Sequence, residues 1–461
     1  MFLYGESREQ MMHVAGLMPF TPAPGSSPDQ LRELMSELRN RPAVQRPWNV
    51  KLRTPNLLWN PLQAWVEDPE VDLEYHIRRS ALPAPGDERE LGILVSRLHG
   101  HRLDLHRPPW EFHLIEGLER GRFAWYVKVH HALVDGYSAM QNMTSALSTD
   151  PESRDWPLFF AVPPPVRPAR PEVPTEASEP GGSRGIHYHE MLAAVSAQYG
   201  ASKAVTRALL RIVQSSRAGD HELVSPLEAP RCVLNARITK SRRFANQRLS
   251  LYRVRAIARA AGGTLNDVVL ALSGASLRTY LLEQNALPDA PLVAMLPVAV
   301  RAKDEAGGGN AVGAILATLA TDVADPGERL TRIVVSTTRA KQQLQGMSKA
   351  AILQYSALLT APSMLQMIPG TAGRVRPTFN VVISNVPGPE RPLYFRGARL
   401  EAWYPMSIPV HGQALNITCT SYAGSMCFGF TGCRDAVPHL QRLAVYCGEA
   451  LADLERAVLH G

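Results

Sequence analysis

The residues best suited to chemistry are two adjacent histidines, His130 and His131, followed by Asp135 and then by Gly136. A neutral imidazole can accept a proton near neutral pH, and burial keeps it neutral because an apolar setting disfavours the charged form. Such a base can deprotonate a hydroxyl group, a role typically worth about 10²- to 10⁴-fold in rate. The stretch therefore indicates general-base chemistry on an alcohol.

Other interpretations of the same stretch stay open on the residues alone. A histidine in a strand is often a satisfied core residue, and a His-His pair with an aspartate could bind a metal ion. The run from Gly136 to Met140 resembles the nucleophile elbow of serine hydrolases, except that Met140 stands where the second glycine is expected. We favour the metal site and the hydrolase least, and we predict no metal site.

A strand over residues 123–131 must carry the two histidines. Successive side chains of a strand point to opposite faces, so the pattern predicts that His131 continues an apolar face and points into the interior. His130 shares the other face with Lys128 and is expected to point elsewhere. His131 is therefore the better candidate base. We expect Gly136 to allow a backbone conformation closed to other residues and to let a ligand approach closely.

The remaining pattern predicts an α/β protein in two layered halves. Prolines recur from Pro151 to Pro180 and forbid regular helix or central strand there. We therefore divide the chain into an N-terminal half at 1–149, a Pro-rich linker at 150–185 and a C-terminal half at 186–461. Apolar periodicity predicts helices at 29–40, 138–147, 188–217, 265–282 and 439–459, strands at 293–298 and 380–384, and a hairpin at 417–430.

Composition limits which binding partners and which cellular location we expect for the protein. Of the 461 residues, 45% are hydrophobic and 20% are charged, which argues against overall disorder. The net charge of +7 favours anionic partners, but no basic block or zinc-finger spacing is present, so we expect no nucleic acid. Five cysteines without a CxxC pair, no secretory signal and no long apolar run predict a cytoplasmic protein. It could still be peripheral on the inner face of the membrane or on lipid inclusions.

Four further blocks, together with the His-His stretch, resemble the bacterial wax ester synthase/diacylglycerol acyltransferase family, within the coenzyme A-dependent acyltransferases that carry HHxxxDG. Residues 108–117 are similar to its PLWxxHLIEGL block, with Pro109 in place of leucine. Asn266 and Asp267 match its ND motif. Residues 297–301 are similar to its PVSVR block, with Ala299 in place of serine, and residues 385–389 match its NVPGP segment. The blocks span nearly the whole chain, although the family's aspartate upstream of Phe2 is missing.

The resemblance implies a two-domain fold like that of chloramphenicol acetyltransferase, with mixed sheets flanked by helices and the active site at the domain interface. It implies transfer of a long-chain acyl group from acyl-CoA, the co-substrate, to a long-chain alcohol or diacylglycerol, giving wax ester or triacylglycerol. No tightly bound cofactor is implied. His131 would be the base, and no acyl-enzyme would form. His130 and Gly136 belong to the same motif, and Asp135 would be an orienting group.

The resemblance also yields candidates for binding. Arg301 is our hypothesis for the arginine that holds Asp135. Asn266 and Asp267 are candidate substrate-binding residues, and the other interpretation of Asn266 is a hydrogen bond at a helix start. The apolar segment 352–368, which we expect Pro362 to kink or split, is buried core or an acyl site.

Two sets of basic residues are candidates for binding anions. One is a stripe on the helix at 188–217, which could face a membrane or lipid inclusion and could equally be solvated: Lys203, Arg207 and Arg211. The other could meet the phosphates of coenzyme A or lie in a solvated loop: Arg237, Lys240, Arg242, Arg243 and Arg248.

Three other functions stay open. The chain could be an acyltransferase of the same fold that esterifies a carrier-bound or other secondary alcohol, although no carrier domain is present. It could be a lipid-inclusion binding protein with an inactive site, although both histidines and Asp135 are intact. It could also be a metal- or serine-dependent lipase.

Overall fold

A computed structural model describes residues 2–26, 29–40, 43–56, 63–154, 157–162, 224–225, 228–299, 312–345, 347–364, 366 and 376–460. The helices are α1 (Phe2–Gly5), α2 (Gln30–Asn40), α3 (Leu73–His76), α4 (Glu88–His99), α5 (Gly136–Thr144), α6 (Leu251–Ala260), α7 (Leu265–Glu283), α8 (Pro326–Leu344), α9 (Lys349–Met364) and α10 (Gln441–Leu459). The predicted helices at 29–40, 265–282 and 439–459 are confirmed. The helix predicted at 138–147 begins two residues earlier and ends at Thr144.

The strands form two large sheets and one small pair. They are β1 (His13–Thr21), β2 (Val50–Leu52), β3 (Trp65–Glu67), β4 (Ile77–Ala81), β5 (Trp110–Glu116), β6 (Phe123–His130), β7 (Arg242–Ser250), β8 (Val293–Ala299), β9 (Val312–Thr318), β10 (Val381–Val386), β11 (Tyr394–Phe395), β12 (Ala398–Leu400), β13 (Tyr404–Met406), β14 (Leu415–Tyr422) and β15 (Ser425–Cys433).

The first sheet has the order β11-β12-β1-β6-β5-β4, and β13 also pairs with β1. Strand β6 lies between β1 and β5, antiparallel to both, and His130 pairs with His13 at its end. All eight residues of β6 are buried, because an interior strand of this sheet is covered on both faces. The two histidines therefore lie where an interior strand ends.

The burial of the two histidines is the reverse of the sequence prediction. His130 is 1% exposed, whereas His131 is only half-buried. The prediction assumed that the strand stays regular through residue 131 and that only one face is covered. In the structure the strand ends at His130, and even Lys128 on the second face is buried, where its ammonium contacts the Glu111 carboxylate at 3.0 Å.

The second sheet has the order β7-β15-β14-β10-β8-β9. Strand β10 is parallel to both β8 and β14, and β14 and β15 form the predicted hairpin. Its two-residue turn has positive φ at Ala423 (42°) and Gly424 (80°), as the right-handed twist of a tight hairpin requires. The strands predicted at 293–298 and 380–384 are confirmed as β8 and β10, with ends shifted by one or two residues.

The division of the chain at the linker needs two corrections. Strands β11 to β13, residues 394–406, follow the linker yet pair in the first sheet, so the C-terminal half does not form one separate body. Residues 158–160 fall inside the predicted linker, but their apolar side chains are buried in the first core, where Phe159 packs against Trp48 and Trp110. The N-terminal half therefore extends beyond residue 149.

Helix α9 contains residues 352–364 of the apolar segment predicted at 352–368. It runs as one helix through Pro362, which lies in its last turn, so the expected division into two pieces is not found in the described residues. Tyr355 and Leu359 are buried, whereas Leu353 and Leu358 are exposed. The helix is thus apolar all round but only half covered. No helix in the described part of the chain is long and apolar enough to cross a membrane.

Candidate active site

His131 lies in the turn between β6 and α5. Its backbone N–H donates to the Met12 carbonyl oxygen at 2.8 Å, which ties the turn to the residue just before β1. The ring of Phe2, in α1, stacks on the imidazole with centroids 4.2 Å apart and planes 19° from parallel. One face of the imidazole is therefore covered by the segment of residues 2–12, called here the N-terminal segment.

Burial lowers the pKa of His131 below its ordinary value of 6.5. The carbonyl of His131 itself and the negative charge of Asp135 raise this pKa, and His130 lowers it further, but burial is the largest cause. The Nδ1 atom is buried and has no hydrogen-bond partner among the described residues. The ring is thus neutral at pH 7 and able to accept a proton.

His130 is held from three sides. Its backbone N–H donates to the Pro109 carbonyl oxygen at 2.9 Å, and the Ala132 N–H donates to its Nδ1 at 3.1 Å. Because Nδ1 accepts, the ring proton of the neutral imidazole lies on Nε2. That nitrogen faces the Glu6 carboxylate, with Nε2 and Oε2 3.6 Å apart.

Glu6 is a site residue that the sequence analysis missed. Its side chain is only 3% exposed, and its carboxylate accepts from the Met12 N–H at 2.6 Å and from Arg102 Nε at 2.9 Å. Burial raises the pKa of Glu6, but its contacts with His130, Met12 and Arg102 outweigh burial and hold that pKa below the usual range. A lone acidic residue in a segment without periodicity carries no sequence signal of this environment.

Asp135 caps α5. Its Oδ1 accepts from the Ser138 N–H at 2.9 Å, and its Oδ2 accepts from the Ser138 hydroxyl at 3.1 Å. Gly136, the first residue of α5, is exposed, and its φ is outside the left-handed region. The expectation of a special backbone conformation at Gly136 is therefore wrong. A β-carbon built there meets no atom within 4 Å, and the expected close approach of a ligand stays a prediction.

The ND motif lies at the start of α7. Asp267 is 2% exposed, and its carboxylate accepts from the Thr264 N–H and hydroxyl, both at 2.7 Å, and from the Thr337 hydroxyl at 2.6 Å. Asn266 is exposed, and its Oδ1 accepts from Asn385 Nδ2 at 2.6 Å, which joins the ND motif to the NVPGP segment. The geometry of Asp267 favours a helix cap, whereas Asn266 remains available to a substrate.

The basic residues near β7 do not form one patch. Arg242 is buried and donates to backbone carbonyls of Thr239 and Glu9, and burial lowers its pKa to about 10. Arg237 pairs with Glu9 at 2.9 Å, and Arg248 donates to the Glu401 carbonyl. Two other predictions, the Arg301 partner of Asp135 and the basic stripe of the helix at 188–217, fall outside the described residues.

Sequence comparison identifies the family. Residues 1–269 match the wax ester synthase/diacylglycerol acyltransferase catalytic domain, and residues 308–455 match the WS/DGAT C-terminal domain. The chain belongs to the wax ester synthase/diacylglycerol acyltransferase family. It is 50% identical to a Mycobacterium tuberculosis protein named provisionally as a diacylglycerol O-acyltransferase, with 99% of this chain and 96% of that protein covered. It is 39% identical to the O-acyltransferase WSD of Acinetobacter baylyi, with 99% and 96% covered.

Solved structures support the same assignment. The wax ester synthase/diacylglycerol acyltransferase of Marinobacter aquaeolei is 41% identical and superposes with a TM-score of 0.74, covering 98% of this chain and 96% of that one. The first condensation domain of a calcium-dependent antibiotic synthetase, at 18% identity and a TM-score of 0.55, shares the fold alone and covers 98% and 92%. This member of the family is therefore an O-acyltransferase with the predicted two-domain coenzyme A-dependent acyltransferase fold.

Proposed function

We propose that this family member transfers a long-chain acyl group from acyl-CoA to a long-chain alcohol or diacylglycerol, with His131 as the general base. The observation that carries the proposal is the environment of His131. Its imidazole is kept neutral by burial at the end of an interior strand, and Phe2 covers one of its faces. A neutral base of this kind can take a proton from an alcohol near pH 7.

In the proposed reaction the substrate hydroxyl meets Nε2 of His131, the ring nitrogen farther from the backbone. The other ring nitrogen, Nδ1, is buried and has no hydrogen-bond partner among the described residues.

The reaction then balances without a covalent enzyme intermediate. The hydroxyl proton moves to His131 as the alcohol oxygen attacks the thioester carbonyl carbon. The tetrahedral intermediate collapses with cleavage of the carbon–sulfur bond, and the leaving thiolate takes the proton from His131. In this proposal His130, Asp135 and Gly136 shape the turn that presents the base, and Asn266, exposed at the start of α7, contacts the acyl substrate.

The proposed acceptors and location rest on the family and on charge. The family name covers both wax ester and diacylglycerol chemistry, and the relative at 50% identity is named provisionally as a diacylglycerol O-acyltransferase. We propose a cytoplasmic location, and the net charge of +7, which favours an anionic surface, supports peripheral binding to the inner membrane face or to lipid inclusions. We propose acyl-CoA as the co-substrate.

The test offers palmitoyl-CoA with hexadecanol or with diacylglycerol and follows free thiol release together with the lipid product. We expect wild type to be active and His131→Ala to lose at least about 10²-fold in rate, the usual share of a general base. His106→Ala is the matched control, because His106 is an exposed histidine outside the turn. Unchanged thiol release by His131→Ala would contradict the assignment, and product loss with a serine reagent or chelator would favour the lipase.

A further inference from the structure

Glu6 is a buried carboxylate that the proposed reaction does not use. A buried charge is costly unless it is paired and hydrogen-bonded, so its partners show what the side chain does. Arg102, one of those partners, is 46% exposed and lies in the loop after α4. The other two partners both adjoin His131: Met12 accepts its backbone N–H, and His130 precedes it in the chain.

The first connection runs through the backbone. Glu6 accepts the N–H of Met12, and the carbonyl of Met12 accepts the N–H of His131. The carboxylate thus fixes the residue that holds the main chain of the candidate base. Phe2, four residues before Glu6 in the same segment, stacks on the imidazole of that base.

The second connection runs through the side chain of His130. The Nε2 atom of His130 faces the Glu6 carboxylate, and its Nδ1 accepts the Ala132 N–H. Glu6 favours the tautomer with the proton on Nε2, since an anion attracts that N–H. The same tautomer leaves Nδ1 free to hold Ala132, so the residues on both sides of His131 are fixed together.

We propose that Glu6 is a positioning residue, which fixes the tautomer of His130 and the backbone of the turn that carries His131. The proposal rests on the proposed function, because it takes His131 as the base. It assigns Glu6 no contact with the substrate. The N-terminal segment is thereby part of the active-site scaffold.

The test compares Glu6→Gln with Arg102→Met. Glutamine keeps the size of Glu6 but turns an N–H donor towards His130 or Arg102, whereas Arg102→Met removes a partner of Glu6 and leaves its contacts with Met12 and His130. We expect kcat of Glu6→Gln to fall about 10- to 100-fold, because a misplacement of roughly 1 Å can cost about 10²-fold, with KM for both substrates within about twofold. Arg102→Met should keep kcat within about threefold, even where both variants lose similar thermal stability.

Glu9→Gln is a second control from the same segment. Glu9 contacts Arg237 and His411 of the C-terminal half, not the histidine turn, and we expect its kcat to stay within about threefold of wild type. Nitrogen-15 NMR of labelled histidine gives an independent readout. The His130 signal, assigned by its loss in His130→Gln, should show the Nε2–H tautomer in wild type and a changed tautomer in Glu6→Gln.

A folded Glu6→Gln with wild-type kcat and an unchanged His130 tautomer would overturn the proposal. So would equal losses of kcat in Glu6→Gln and Arg102→Met, since that result indicates general destabilisation. If Glu6→Gln cannot be obtained folded, Glu6→Asp withdraws the carboxylate from Met12 and His130, and wild-type kcat in that variant with an unchanged His130 tautomer would equally overturn the proposal. Activity in His131→Ala would instead refute the proposed function, while the tautomer measurement would still test Glu6 by itself.

Discussion

At the scale of single residues, the two histidines end one strand yet have unlike surroundings. His130 is enclosed by a carboxylate and two backbone groups, whereas His131 is half-buried beneath an aromatic ring. The Ala132 N–H occupies Nδ1 of His130, and its Nε2 faces the Glu6 carboxylate, so both ring nitrogens of this buried residue are directed at protein groups. His131 is the more exposed of the two, so its ring is the more accessible to a substrate.

The pH dependence of the rate follows from the lowered pKa of His131. The base must be neutral, so kcat/KM is highest above its pKa and falls as the pH drops through that value. Burial lowers this pKa below 6.5, and we therefore expect the acid limb of kcat/KM to have its midpoint below pH 6.5. Measurement of product formation at subsaturating palmitoyl-CoA across about pH 5 to 8 checks this. A midpoint above 6.5 in enzyme that stays folded would speak against His131 as the base.

At the scale of elements, the first turn of α7 shows how a family motif can serve the fold. Asp267 closes a capping box with Thr264 and also holds Thr337 of α8, so that α7 and α8 share one carboxylate. Such a group stabilises both the start of a helix and a helix–helix contact. Its neighbour Asn266 reaches instead to Asn385 at the end of β10.

We predict that Asp267→Asn lowers the free energy of unfolding by about 1–3 kcal/mol, because an amide cannot accept all three of these hydrogen bonds. The kcat of the folded fraction should stay near wild type. Urea unfolding and an assay at low temperature measure the two effects separately. Thr337→Val, which removes one partner only, is the milder control. If Asp267→Asn kept wild-type stability but lost activity, that result would support the substrate-binding role that the ND motif suggested for Asp267.

Long elements were predictable from the sequence, because their apolar periodicity is local. Helix α7 and strand β8 were found within a residue or two of their ends. Strands β11 to β13 have only two or three residues each, which is too short for a period to show. Their pairing is also set by distant residues, as when Leu400 lies opposite Phe20. The sequence did not predict Glu6 as a site residue for the same reason, since its role depends on contacts with the distant residues His130 and Arg102.

At the scale of the whole molecule, the two halves are joined by more than the linker. Strands from the C-terminal half complete the first sheet beside β1, and the N-terminal segment reaches the C-terminal half through Glu9, whose carboxylate pairs with Arg237. The backbone N–H of His411 also donates to Gln10 Oε1 at 2.9 Å. Each half therefore holds groups that the other half needs for its hydrogen bonds.

We predict that a chain cut within residues 163–223 stays associated when both pieces are produced together. The pairing of β12 and β13 with β1 is independent of the connection at the cut. Size-exclusion chromatography of the co-produced pieces should give one complex. The piece 1–162 produced alone should aggregate, because β1 then has a bare edge. A soluble, folded 1–162 piece would show that the strands from the C-terminal half are dispensable.

The order in which the chain leaves the ribosome gives the crossing strands a further consequence. Strand β1 ends at Thr21, but its partners β12 and β13 begin only at Ala398 and Tyr404, so the residues between them are made before β1 can pair at this edge. Throughout that interval the apolar edge of β1, with Leu17 and Phe20, is open to wrong pairing. The first sheet can therefore be completed only after residues 398–406 have left the ribosome.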